Sequence, residues 1–194
     1  HHKVTDNVDK YTVEKLKKIK CDHEAKFTNI IKKISESIKD YTKKDSLIMP
    51  QTLQGMNEYF KWNQTAEELK YIIQCIGKFG INLNNITRDI RNLLFIISER
   101  VEEKNIGVNK VYFKVPVAEI KKVCKLSFSS FRDNVIVLEK YGLCYYEQDL
   151  DGIDTLTLSD IAYDGWWKDL KGYCKYKKIS LYDILVDLKF DLLD

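Results

Sequence analysis

Histidine is nearly missing from this chain: three occur in 194 residues, and two of them are the opening pair His1-His2. That pair, with no Met ahead of it, has the pattern of an affinity-tag remnant, which leaves His23 as the one imidazole for acid–base chemistry. No glycine-rich phosphate loop, no G-x-S-x-G and no H-E-x-x-H is present. Carboxylate pairs such as Glu67-Glu68 and Glu102-Glu103 are adjacent, and neighbours in a helix point to different faces. No enzyme, no cofactor and no small-molecule substrate are expected from this set.

Long apolar runs are missing too. Nothing approaches the roughly 18 consecutive apolar residues that a membrane-spanning helix needs, and the N-terminus lacks a charged-then-apolar leader, so a cytoplasmic protein with no membrane partner is expected. The five cysteines (Cys21, Cys75, Cys124, Cys144, Cys174) are odd in number, scattered and never spaced C-x-x-C, which argues against a disulfide framework or a zinc knuckle. Cys21 and His23 have no second pair with which to complete a metal site, so no metal is expected. Half-buried, reduced thiols are the expectation.

What is present is a core and many helical patterns. Apolar residues make up 44% of the chain, enough to bury a substantial interior. The two prolines, Pro50 and Pro116, leave long stretches uninterrupted. From Val13 to Tyr41 apolar positions recur at three-and-four spacing, predicting one long helix or two with a bend near Cys21 to His23. Lys43 to Gln51 reads as a connection and Thr52 to Lys61 as a short helix. Thr65 and Glu68 form a capping-box pair ahead of Ala66 to Phe79, with Gly80 expected to end that helix. A further helix is predicted over Ile86 to Glu103, then a loop from Asn105 to Lys110. Beyond residue 158, Ser159-Asp160 are expected to start one helix, and Ser180 with Asp183 a last one carrying Leu181, Ile184, Leu185, Leu188 and Leu192 on one stripe.

Between Val111 and Leu158 the order is strand, helix, turn, helix, hairpin. VYFKV (Val111 to Val115) is extended, and Val117, Ile120, Val123 and Cys124 follow at helical spacing. Ser127 caps a second helix with Phe128, Phe131, Val135 and Leu138 on one face and Gly142 just past its end. Two alternating runs, Leu143 to Glu147 and Ile153 to Leu158, flank the turn Asp149-Leu150-Asp151-Gly152.

This segment, SFSSFRDNVIVLEKYGLCYYEQ above all, resembles the winged helix-turn-helix superfamily. The resemblance implies a mainly α fold: an N-terminal helical bundle (3–80), a winged helix-turn-helix with a small β-hairpin (85–160) and C-terminal helices (161–194). A bundle followed by such a unit is also similar to the lid-plus-winged-helix end of origin-recognition initiators, whose nucleotide-binding motor this chain lacks. The superfamily places the second helix of the pair in the major groove of duplex DNA. Ser129, Ser130 and Arg132 then suit base-edge or phosphate contacts, with Lys121, Lys122, Lys125 and Lys140 on the backbone.

The charge pattern supports that expectation only in part. Residues 1–110 hold 20 Lys+Arg against 15 Asp+Glu, but residues 111–160 hold 6 against 8. Glu147, Asp149, Asp151 and Asp154 crowd the hairpin, where a polyanion would be repelled, unless they merely keep an edge soluble. Basic residues gather instead at Lys10 to Lys20 and at Lys168, Lys171, Lys175, Lys177 and Lys178, the latter interleaved with Trp166, Trp167, Tyr173 and Tyr176, and Lys168, Lys171 and Lys175 are expected to hold DNA phosphates. Such aromatics are more commonly the inward side of an amphipathic helix. The expected function is a DNA-binding regulator of transcription or replication. The alternative is a protein-interaction module, or a homodimer, that uses Ile136, Val137, Asp149 and Asp151.

Overall fold

The computed structural model describes residues 15, 17, 18, 20, 45–105, 111–149 and 151–194. The chain divides into two compact units, His1–Lys43 and Lys44–Asp194. In the first, Lys15, Lys17, Lys18 and Lys20 are helical and exposed. The rest of the helix expected over Val13 to Tyr41, with its bend at Cys21 to His23, lies outside the described residues, as does Lys10.

The second unit begins with α1 (Gln54–Phe60), which packs Met56 inward between two left-handed residues, Leu53 and Lys61. Then comes α2 (Ala66–Asn84). Its capping box forms as the Thr65/Glu68 spacing predicts: the Thr65 hydroxyl accepts from Glu68 N–H, and the Glu68 carboxylate accepts from Thr65 N–H at 2.8 Å. Gly80 does not end this helix. It lies buried inside it, where a Cβ would come within 3.0 Å of Leu47 and 3.3 Å of Phe190, so glycine serves close packing here rather than termination. A continuous helix therefore runs through the boundary expected near Gly80 to Asn85, and one hydrophobic core extends from Leu53 to Leu193.

The third helix, α3 (Arg88–Arg100), starts at Thr87 and stops three residues earlier than expected. Val101 turns extended, and Glu102–Asn105 become β1, antiparallel to β2 (Val111–Pro116) with Glu102 opposite Lys114. Residues 106–110 are outside the described set. Next come α4 (Val117–Cys124) and α5 (Phe128–Lys140), then the hairpin of β3 (Cys144–Gln148) and β4 (Asp154–Leu158). The four antiparallel strands run in the order β1-β2-β4-β3, leaving β3 on one edge and β1 on the other. Phe113, Val115, Leu156 and Leu158 bury one face of this sheet in the core.

The expected helix start at Ser159-Asp160 is not used. Ser159 instead prolongs the sheet, its N–H donating to Leu143 O, while its carbonyl accepts the indole N–H of Trp167 at 2.8 Å. The helix α6 (Trp166–Lys177) starts after Gly165, whose φ of 91° suits only glycine. It buries Trp166, Trp167, Leu170 and Tyr173. The last helix, α7 (Leu181–Leu185), is shorter than expected. Ser180 caps it through Tyr182 N–H, and Asp183 turns instead to Lys189. A left-handed Leu188 then leads into a 3₁₀ turn, Phe190–Leu193, that buries Leu193 while Leu192 is half-covered. The molecule is thus helix-rich with one small sheet, and no helix among the described residues is long and apolar enough to cross a membrane.

Candidate functional site

The short connection from α4 to α5 turns on Lys125, which is left-handed at φ 51°, and on Ser127. Ser127 Oγ accepts the Ser130 amide at 3.2 Å and lies 2.8 Å from Ser130 Oγ and 3.2 Å from Ser129 Oγ. Three hydroxyls therefore gather at the amino end of a 13-residue helix whose first turn carries no carboxylate, where the helix dipole favours negative charge. The far end closes on Gly142 (φ 63°), with Gly142 N–H donating to Glu139 O and Leu143 N–H to Leu138 O, both at 2.9 Å. Asn82 of α2 ties down the same end by donating to Tyr141 O at 3.0 Å.

Phe131, Val135 and Leu138 are buried as the spacing requires, and Ser129, Ser130, Arg132, Asp133, Ile136 and Lys140 are exposed. The side chain of Phe128 is not among those described. Val137 departs from expectation: it is half-buried and packs against the core, on a helix against which α3 packs. Val123, expected inward on α4, is exposed instead.

Between α5 and the hairpin runs a groove of about 190 Å³. Val117, Phe131 and Val135 line it with apolar surface, joined by Arg132, Ile136, Glu139 and Tyr146. Glu139 is engaged there, since its Oε1 accepts the outward Tyr146 N–H of edge strand β3 at 2.9 Å. That contact blocks one position at which another chain could pair with the edge. The Tyr146 phenol is pushed above its ordinary value, mainly by donating to Asp154 and in smaller part by burial and the Asp154 charge, with Arg132 acting in the opposite sense.

The acidic hairpin is largely occupied with its own structure. Glu147 takes both the Lys114 ammonium and the Thr157 hydroxyl, and these contacts hold its carboxyl below the ordinary range. Asp149 folds back to accept the amides of Asp151 at 3.0 Å and Ile153 at 2.8 Å, which shapes the turn. Asp151 itself is exposed.

Among the lysines, Lys122 and Lys125 are exposed beside the start of α5, while Lys121 is half-buried. The group on α6 is not brought to α5. Lys168 pairs with Glu103 of β1 at 3.1 Å, whereas α5 packs on β3 at the opposite edge of the sheet. Lys171 is half-buried, its pKa lowered by burial with Glu99 opposing, and Lys175 is exposed. Of the interleaved aromatics, Trp166, Trp167 and Tyr173 point inward. Tyr176 stays exposed and stacks on Tyr59 with centroids 4.1 Å apart.

Sequence reasoning missed Glu139 and Tyr146 as members of the groove. Strand alternation alone would have put Tyr146 on the helix side, with Cys144, but pairing with Glu139 depends on where α5 lies. No protein-family model, no curated protein and no solved structure matches this chain.

Proposed function

We propose that residues 88–158 form a winged helix-turn-helix, with β1 as an added strand, and that the α4–α5 pair binds duplex DNA as part of a transcription or replication regulator. One observation carries the reading: the exposed amino end of α5 presents Ser129, Ser130 and Arg132 without a carboxylate in its first turn, next to exposed Lys122 and Lys125. Arg132 is suited to bidentate contact with guanine, and the lysines to phosphates. Pairing of Glu147 with Lys114 removes part of the repulsion that the hairpin would otherwise exert.

Fluorescence anisotropy with a short duplex of arbitrary sequence tests this. Binding is expected at about 50 mM salt and a steep loss by about 200 mM. Replacing Lys122 and Lys125 by Ala should reduce the slope of log K against log salt by about 2. No detectable binding at low salt removes the proposal.

A second reading, a protein-interaction module, is favoured by Ile136, which is 51% exposed above the apolar groove. If it is right, Ile136→Asp abolishes capture of a partner chain while leaving the circular dichroism spectrum unchanged. Retained capture counts against it.

A further inference from the structure

A larger groove, about 590 Å³, lies away from α5, between the start of α2 and the loop 159–165. Its walls are aromatic. Trp62 and Tyr163 meet with centroids 5.8 Å apart and ring planes at 87°, forming a right-angled corner. Both rings are braced from behind. Trp62 stacks on Phe60 at 5.3 Å, while Tyr163 packs edgewise on buried Trp166 and donates its hydroxyl to Asp169 at 2.8 Å. Tyr71, 62% exposed, adds a third ring.

The charge of the lining has one sign. Glu67 and Glu68 contribute carboxylates, and no Lys or Arg takes part. Glu68 is kept ionised by the Thr65 amide and hydroxyl, each 2.8 Å from its Oε2, which pull its carboxyl below the ordinary value.

These features select among ligands. Anions are repelled by the two carboxylates. A small hydrated metal ion wants several converging oxygens, which rings do not supply. A neutral apolar group gains nothing from the acids. A bulky, weakly hydrated organic cation gains from both, because ring faces carry negative potential and its desolvation costs little. We propose that this groove binds a quaternary ammonium group, with Trp62, Tyr163 and Tyr71 as ring faces and Glu67 and Glu68 as counter-charges. Free choline-type molecules and the trimethyllysine side chain of a partner protein share this chemistry.

The test follows the Trp62 indole N–H signal by NMR, Trp166 and Trp167 being buried. The probes are tetramethylammonium, choline, a trimethyllysine peptide and 3,3-dimethylbutanol, the neutral isostere of choline. Tetramethylammonium and choline should shift the signal saturably, with choline about tenfold tighter than dimethylbutanol. Tyr71→Ala, at an exposed position, and Glu67→Gln should each weaken choline several-fold without altering the thermal melt. A tighter trimethyllysine peptide assigns the cation to a protein partner, and a tighter choline to a free molecule. Equal affinity for dimethylbutanol overturns the proposal, as does an unmoved Trp62 signal at saturating tetramethylammonium. DNA binding is measured separately and does not bear on either result.

Discussion

Asp194 Oδ1 lies 2.9 Å from the amide nitrogen of Leu53, 141 positions away in the sequence. The same carboxylate accepts the amides of Gln51 at 2.9 Å and Thr52 at 2.8 Å, so one side chain holds three successive N–H groups ahead of α1. Partial burial pushes the Asp194 carboxyl up, but the hydrogen bonds from Gln51, Thr52 and Leu53 together outweigh it and the net displacement is downward. A carboxylate held below its unfolded value stabilises fully above that value, and the stabilisation is lost as pH falls through the lower folded one. Asp194→Ala should therefore cost about 1–2 kcal/mol in urea unfolding at pH 7, and the difference from wild type should shrink as pH falls below the ordinary carboxylate range.

Gly55 and Gly77 should respond to alanine with opposite signs. A Cβ at Gly55 would sit 2.3 Å from the Tyr173 hydroxyl and 2.8 Å from Asp194 O, forcing apart a hydrogen bond of 3.1 Å between them. Gly55→Ala is expected to lower stability by about 1–3 kcal/mol. At Gly77, inside α2, the nearest atom is Met49 Cε at 3.5 Å, an ordinary contact. Gly77→Ala should raise stability by about 0.5–1 kcal/mol, as read from paired thermal melts.

Thiol reactivity should sort by burial. Burial, helped by the Glu139 charge, pushes Cys144 up to about 12, and burial with Glu99 does the same for Cys174. Cys124 is raised as well, chiefly by burial, and Cys75 is half-buried. Of these four, native labelling at pH 8 with an alkylating reagent should modify Cys75 first. Cys144 and Cys174 should follow only at the rate of unfolding. Peptide mapping over time checks this, and early modification of Cys144 would mean that β3 detaches from the sheet.

Two carboxylates of the hairpin should behave differently. Glu147→Gln leaves Lys114, whose side chain is only 15% exposed, without its counter-charge and should cost about 1–2 kcal/mol. Asp151→Asn, at an exposed position, should stay within about 0.5 kcal/mol of wild type. If the α4–α5 pair binds DNA, Asp151→Asn should also tighten low-salt binding slightly, because a charge repelling the phosphates is gone. Urea titration and anisotropy separate the two effects.

Much of residues 65–158 was legible because its signals are local. The Thr65/Glu68 box, the Ser127 cap, the glycine after α5 and the alternation in β3 and β4 each involve neighbours within a few positions. Signals that fail do so where a distant partner decides. Glu102 and Glu103 continue a helical pattern yet pair with β2, and Ser159 looks like a cap yet serves Leu143 and Trp167. The α6 lysines read as one basic stripe, but folding ties Lys168 to Glu103 across the sheet from α5.

By itself the sequence determined the helical character of most described segments, which face of α5 turns inward and where its amino end begins, since hydrophobic period and caps act within one or two turns. Only the tertiary structure decided that Gly80 packs rather than punctuates, that Glu139 guards the edge of β3, and that Trp62 and Tyr163 form a corner 101 positions apart. Those outcomes depend on contacts between remote segments, whose geometry is set by how the whole core closes rather than by any window of the chain.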